Sequence, residues 1–364
     1  MRKTLYLHIG TPKTGSSAIQ TFLEQNREVL RSKGIDYPGG PAKKTQFSAQ
    51  SGNGRDLCLA KPDSKEYKHA LRQIQASEFD TVLVSSEFFI AQSDERMARL
   101  HKALSDFDIH IIAYLRRQDL YLQSYLQQGV KLHGLRSLDA WESDDPMFNG
   151  FMQLLGENAA QALLQFVRGY EKDKVIIRPY EKGQFTDGNI FSDFLTILGI
   201  PLTGEFQLPQ RAINPGFDRD FLELRMMLNH PKIPRGNVQR LFTSCLWELS
   251  HPTDQNQLFT PYSLLSPQRR IALIEGCGKE YEIIAREYLG REHGKLFFDP
   301  LPDQEDWQPY PGIPLEKVVQ AFGCVCARQQ EQLDALQKRE NKRPVRRLLR
   351  SCKKILHRLG IGPA

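Results

Sequence analysis

The sequence predicts an α/β protein built on parallel strands, and three observations lead there. Short aliphatic and β-branched runs at Leu5–Ile9, Thr81–Ser86, Ile109–Leu115 and Lys174–Glu181 alternate with segments of helical periodicity. The runs at Thr81–Ser86 and Ile109–Leu115 are apolar over most of their length instead of at every second position, as expected of strands covered on both faces. The first run passes directly into a turn rich in glycine and hydroxyls and then into an amphipathic helix, a strand–loop–helix unit spanning Leu5 to Ser17. At 364 residues the chain is long enough for one large α/β domain with appendages or for two domains.

Composition excludes several classes. With 40% hydrophobic and 25% charged residues the chain has an ordinary globular balance, and no run reaches the roughly 18 apolar residues that a spanning helix needs. The apolar run after Met1-Arg-Lys3 stops at Gly10, shorter than the roughly 7–15 residues of a signal-peptide core, so the chain is expected to stay in the cytoplasm. Six cysteines without a C-x-x-C pair and nine histidines without ligand spacing indicate neither a disulfide framework nor a metal site. Residues 338–358 hold ten Lys or Arg against one acid, so that stretch carries +9 while the rest of the chain sums to −3. The basic character belongs to the tail, and no nucleic-acid partner is expected.

In the opening unit, the turn gathers backbone N–H groups and a helix N-terminus around one point, which suits a cluster of anionic oxygens. Lys13, Thr14, Ser16 and Ser17 add side-chain donors. A nucleoside-triphosphate loop reads G-x-x-x-x-G-K-S/T; here Gly15 is followed by Ser16-Ser17 and the lysine stands earlier, at Lys13. The segment Pro12-Lys13-Thr14-Gly15-Ser16-Ser17 resembles the 5′-phosphosulfate loop of sulfotransferases that use 3′-phosphoadenosine-5′-phosphosulfate (PAPS), written Pro-Lys-Thr/Ser-Gly-Thr/Ser-Thr/Ser. The resemblance implies that Lys13 bridges the 5′-phosphate and the sulfuryl group. It also implies a three-layer sandwich around a mainly parallel sheet, akin to the P-loop nucleotide-hydrolase fold.

The helix after the loop runs from Ser16 to about Ser32, with Ile19, Phe22, Leu23 and Leu30 on one face and Gly34 as its stop. Ile35–Tyr37 reads as a short strand and Pro38–Asp63 as an irregular binding loop or lid, in which Arg55 and Lys61 are solvated charges or substrate contacts. A helix over Ser64–Ala76 leads to the strand Thr81–Ser86 and then to Glu87. In open parallel sheets ligands collect at the carboxyl ends of strands, so Glu87 shares the rim of the Lys13 loop and is a candidate general base; the alternative is a helix-start carboxylate beside Phe88-Phe89. A helix over Asp94–Phe107 precedes the strand Ile109–Leu115.

That strand ends in Arg116-Arg117, with Ser124 eight residues after Arg116 on the following helix. A guanidinium at a strand end can meet two phosphate oxygens, and a hydroxyl two turns into the helix closes the far side. The same sulfotransferases carry such an arginine and serine for the nucleotide 3′-phosphate, which the resemblance assigns to Arg116 and Ser124. Gln118 replaces the family's common proline, and the doubled arginine leaves one position ambiguous.

Beyond Gly134, Phe151–Gly169 reads as helical, and the strand Lys174–Glu181 ends in an R-x-Y-E pattern that again resembles the family, with Tyr180 and Glu181 read as packing and capping groups. A helix follows over Asn189–Gly199. From Gln207 to Gln257 prolines break the pattern, with a helix expected from Asn214-Pro-Gly-Phe217 and basic groups at Arg235–Arg240. A long helix is expected over Leu264–Gly290 and an extended segment over Phe297–Pro302. These divide the chain into a sulfotransferase-like domain at 1–302, a linker at 303–314 and a helical tail at 315–364. Val345, Leu348, Leu349, Cys352, Ile355, Leu356 and Leu359 share one helical face opposite basic residues. Such a helix suits either an anionic membrane surface, here the inner face, or docking on its own domain.

The expected activity is transfer of a sulfuryl group from PAPS to a hydroxyl of a saccharide, polysaccharide or glycolipid, with Lys13 and Glu87 catalytic and no metal required. His69 and His133 are alternative bases. Competing readings are a P-loop kinase-like phosphotransferase using ATP and Mg²⁺, and a non-catalytic membrane-surface scaffold.

Overall fold

A computed structural model of the chain describes residues 2–39, 52–138, 143–209, 219–233, 236–250, 263–303 and 307–341. Its centre is a five-stranded sheet in the order β2-β3-β1-β4-β5, formed by β1 (Lys3–His8), β2 (Ile35–Asp36), β3 (Thr81–Ser85), β4 (Phe107–Leu115) and β5 (Val175–Pro179). Every pairing is parallel, so all carboxyl ends lie on one rim. β1 is central, with Leu7 opposite Val84 on one side and Ile111 on the other.

Strand alternation sends residues to two covered faces. On one, Leu83, Ile112 and Tyr114 pack with Ile19, Phe22 and Leu23 of α1 (Ser16–Gln25), Leu30 of α2 (Arg27–Ser32), and Phe194 and Leu195 from a later helix at Ile190–Ile197. The alternate positions, Leu5, Leu7, Val82, Val84 and Ala113, are equally buried. The expected helix–sheet–helix sandwich is therefore the observed fold.

Several expected helices are shorter or divided, each for a local reason. The helix over 16–32 breaks at Asn26, whose amide donates to Phe22 O at 2.7 Å and Gln207 O at 2.9 Å. The 38–63 stretch includes a short α3 (Arg55–Leu59), and its residues 40–51 lie outside the described ones. Ser64 caps α4 (Lys65–Gln75) by accepting from Tyr67 N. The helix expected to reach Phe107 ends as α5 (Asp94–Ala103), and Phe107 begins β4. After α6 (Gln118–Leu132), the 151–169 helix is two, α7 (Pro146–Leu155) and α8 (Ala159–Val167), because Asn158 caps α8 by accepting from Gln161 N. The helix at Ile190–Ile197, α9, starts on an Asn189 cap.

The described chain forms two compact units, 1–216 with 263–309 and 217–262 with 310–364. This partition runs differently from the 1–302, 303–314 and 315–364 division expected from composition. The second unit contains α10 (Arg219–Leu228), α11 (Asn237–Ser250) and a final helix at Leu315–Asn341. Buried Asp220 on α10 accepts from Tyr310 at 2.5 Å and Lys317 at 2.6 Å, and Phe242 meets Phe322 edge-on at 4.8 Å. The 264–290 helix of the first unit is α12 (Pro267–Gly276) and α13 (Gly278–Glu287), which makes the final helix α14. The expected helix start at Asn214–Phe217, Arg235, and the basic amphipathic face at 345–359 lie outside the described residues.

Candidate functional site

The loop between β1 and α1 is shaped by three left-handed residues, Gly10 (φ 41°), Lys13 (φ 70°) and Gly15 (φ 77°). For lysine this conformation is unusual and costs energy; Arg116 helps hold it by donating from Nη1 to Lys13 O at 3.1 Å. Thr11 donates to Tyr114 O at 2.6 Å and Thr14 donates to Thr11 O at 2.5 Å. Gly15 caps α1 without a side chain. The first-turn N–H groups of an α-helix have no intrahelical partner, which leaves those of Ser16 and Ser17 available to an anion.

Lys13, Gly15, Ser16, Ser17, Glu87, Arg116 and Ser124 line one cleft with a volume of about 170 Å³, together with Ala18, Gln128, Lys131, Leu132 and Tyr180. All seven of the first group are sequence candidates. Pro12 and Thr14 are not on the wall, and the hydroxyl of Thr14 is engaged within the loop. Parallel register explains the gathering: His8 pairs with Ser85 and with Ile112, so the residues following β1, β3 and β4 emerge side by side.

The doubled arginine is resolved by packing. Arg116 is half-buried on the cleft, 5.5 Å from the Tyr180 ring centroid. Arg117 is buried and turned away; it donates to Asp119 at 2.8 and 3.2 Å and to the carbonyls of Asp299 and Pro300 at 3.0 and 2.9 Å. Gln118 occupies the first turn of α6, where proline is well tolerated, but its N–H donates to Tyr281 Oη at 2.8 Å. Its carboxamide donates to Leu155 O and Gly156 O and accepts from Ala159 N. Glutamine here joins α6 to the α7–α8 turn, a task proline cannot perform.

Burial dominates the electrostatics. It raises the Glu87 carboxyl above its usual range, while the Ser16 hydrogen bond (2.9 Å to Oε2) and the Lys13 charge pull it back. Burial lowers Lys13; Glu87 counters this and Arg116 adds to it. Lys131 is lowered to about 7 by burial, with Lys13 as a second cause. The cleft thus collects three basic side chains and one carboxylate, an imbalance suited to an anionic ligand. Beneath it, His8 Nδ1 lies 2.9 Å from Ser85 Oγ, and burial pushes this histidine down to about 3, so it is neutral.

No family model matches the chain. An uncharacterized protein of Archaeoglobus fulgidus is 32% identical over 214 residues, 58% of this chain and 55% of that protein. The chain thus spans about half the length of the curated relative it matches. Among solved structures, a sulfotransferase from Alicyclobacillus acidocaldarius is similar at 15% identity and a TM-score of 0.36, over 59% of this chain and 88% of its own. Among the described residues no helix is long and apolar enough to cross a membrane, and no group of three or more His, Cys, Asp or Glu could hold a metal ion.

Three polar wall residues escaped sequence reasoning. Gln128 and Lys131 follow Ser124 at i+4 and i+7, a single helical stripe; extending the stripe from Ser124 finds them. Tyr180, read as packing, stands on the wall because its N–H bonds Leu115 O at 2.7 Å, which places it beside Arg116. Its ring crowds the loop: a Cβ on Gly15 would lie 3.0 Å from Tyr180 Cε2. Glu181 is buried but makes no cap bond to the helical turn after it; its carboxylate accepts from Phe298 N and Asp299 N and ties that segment to the end of β5. His69 is exposed on α4, and His133 is occupied 2.8 Å from Asp145 and is not on the wall. Arg55 is exposed and pairs with Asp56, and Lys61 is exposed.

Proposed function

We propose that the chain is a sulfotransferase that moves the sulfuryl group of PAPS to a hydroxyl of a saccharide, polysaccharide or glycolipid. The observation that carries this reading is the convergence of the Lys13 loop with Arg116 and Ser124 on one cleft, although Lys13 and Arg116 are 103 positions apart in sequence. In this reading the Lys13 loop and the Arg116–Ser124 pair serve two different phosphate groups of one ligand.

In this reading Ser16, Ser17 and their N–H groups hold the 5′-phosphate, and Arg116 and Ser124 hold the 3′-phosphate. Glu87 accepts the acceptor hydroxyl proton as the new oxygen–sulfur bond forms. Lys13 neutralises the charge left on the phosphate oxygen as its bond to sulfur breaks. A low, partly desolvated site strengthens each of these contacts.

Isothermal titration with 3′,5′-adenosine bisphosphate and with ATP tests the reading. Tight binding of the bisphosphate, weakened in Lys13→Ala and Arg116→Ala, supports it. Preference for ATP favours the kinase-like alternative, and binding of neither favours the scaffold. Labelled PAPS offered with saccharide and glycolipid acceptors then identifies the acceptor class. Peripheral membrane contact through 345–359 rests on sequence pattern; co-sedimentation with anionic vesicles, before and after deletion of that segment, tests it.

A further inference from the structure

The Ser16 hydroxyl lies between two partners. Ser16 opens α1, so its side chain stands in the first turn where an anion would settle. In the structure that hydroxyl instead donates to Glu87 Oε2 at 2.9 Å. A serine hydroxyl carries one proton, so it can serve the carboxylate or a phosphate oxygen, not both.

We infer that Ser16 is a positioning residue that couples donor binding to Glu87: a phosphate seated in the loop takes the Ser16 hydrogen bond and releases Glu87 as a stronger base. The inference rests on the donor reading above. Without donor, Glu87 is held by Ser16 and faces the Lys13 charge. With donor, it loses its bond and gains an anionic neighbour that also engages Lys13, and both changes favour the protonated carboxyl. The other groups around it do not replace the lost bond in the arrangement observed. Tyr121 and Tyr125 of α6 approach Glu87 from below; Tyr121 Oη is buried without a hydrogen-bond partner, and Tyr125 Oη donates to Phe148 O at 3.4 Å. Arg116 and Lys131 contribute positive charge from the same walls. The device withholds the base until the donor is seated. During turnover the proton passes from the acceptor hydroxyl to the Glu87 carboxylate and then to solvent.

Proton linkage measures this without an acceptor. The full chain is titrated with 3′,5′-adenosine bisphosphate between pH 5 and 8 in buffers of different ionisation enthalpy, which yields the protons bound per ligand. The ligand's own ionisation cancels between wild type and Glu87→Gln. Wild type is expected to take up more than the Gln variant by roughly half a proton at the maximum, the linkage expected when one charge-assisted hydrogen bond is lost. Ser16→Ala, whose Glu87 is already released, takes up less than wild type, and Ser16→Thr restores the uptake. Equal proton counts in wild type and Glu87→Gln, or in wild type and Ser16→Ala, overturn the coupling while leaving the donor reading intact. Failure of the wild type to bind the bisphosphate overturns the donor reading and the coupling with it.

Discussion

Arg116 and Arg117 are adjacent in sequence and opposite in role, so substituting each in turn separates binding from stability. Removing Arg117 deletes four hydrogen bonds and one partner of Asp119, which has no exposed surface. Breaking a buried pair costs 3–5 kcal/mol when the remaining charge is stranded. Here Arg270 still holds Asp119 at 2.8 Å, so Arg117→Ala is expected at the lower end, about 3 kcal/mol. Arg116 makes one bond to Lys13 O and one ring contact with Tyr180, so Arg116→Ala costs about 1 kcal/mol of stability. Loss of a charged hydrogen-bonding partner for phosphate, about 1.5–3 kcal/mol, weakens 3′,5′-adenosine bisphosphate roughly 10- to 150-fold. Arg116→Lys, a point charge without the planar fork, falls between. Urea unfolding and isothermal titration on the same samples give both quantities. If Arg117→Ala weakens the ligand as much as Arg116→Ala does, at unchanged stability, the assignment of the cleft arginine is wrong.

Gly15→Ala places a Cβ in a left-handed residue and 3.0 Å from Tyr180; the backbone penalty of roughly 1–2 kcal/mol is borne by the folded chain with or without ligand and is read as an equal loss of stability in urea unfolding. Gln118→Pro removes four buried hydrogen bonds and lowers stability by about 3 kcal/mol or more in urea. Lys131→Met tests the lysine lowered to about 7. Below pH 7 the ammonium is charged in both folded and unfolded chains and the burial penalty is full. Above pH 7 the unfolded chain binds more protons than the folded one, so this residue's contribution to stability rises with pH. The variant should therefore be more stable than wild type at pH 6, with the difference narrowing toward pH 9.5 in parallel unfolding curves.

The site was legible where its chemistry is local. The loop Gly10–Ser17 declares itself because left-handed turns, a glycine cap and hydroxyls are properties of neighbouring residues. Glu87 was found from one non-local rule, that parallel strands present their carboxyl ends together, whereas Arg116 and Ser124 were assigned by the resemblance of their spacing to that of sulfotransferases. Helix breaks at Asn26 and Asn158 were missed because the apolar period continues across them, while the interruption lies in side-chain bonds to the backbone.

Sequence alone therefore determined the strand–loop–helix unit and the parallel α/β class, consequences of periodicity and short-range backbone chemistry, and pointed to Glu87 at a strand end. Only the tertiary structure decided which arginine faces the cleft, that Tyr180 and Lys131 join its wall, and that the Ser16 proton rests on Glu87. Those outcomes depend on strand register and on the rotation of α6 against the sheet, which are set by packing between residues distant in the chain.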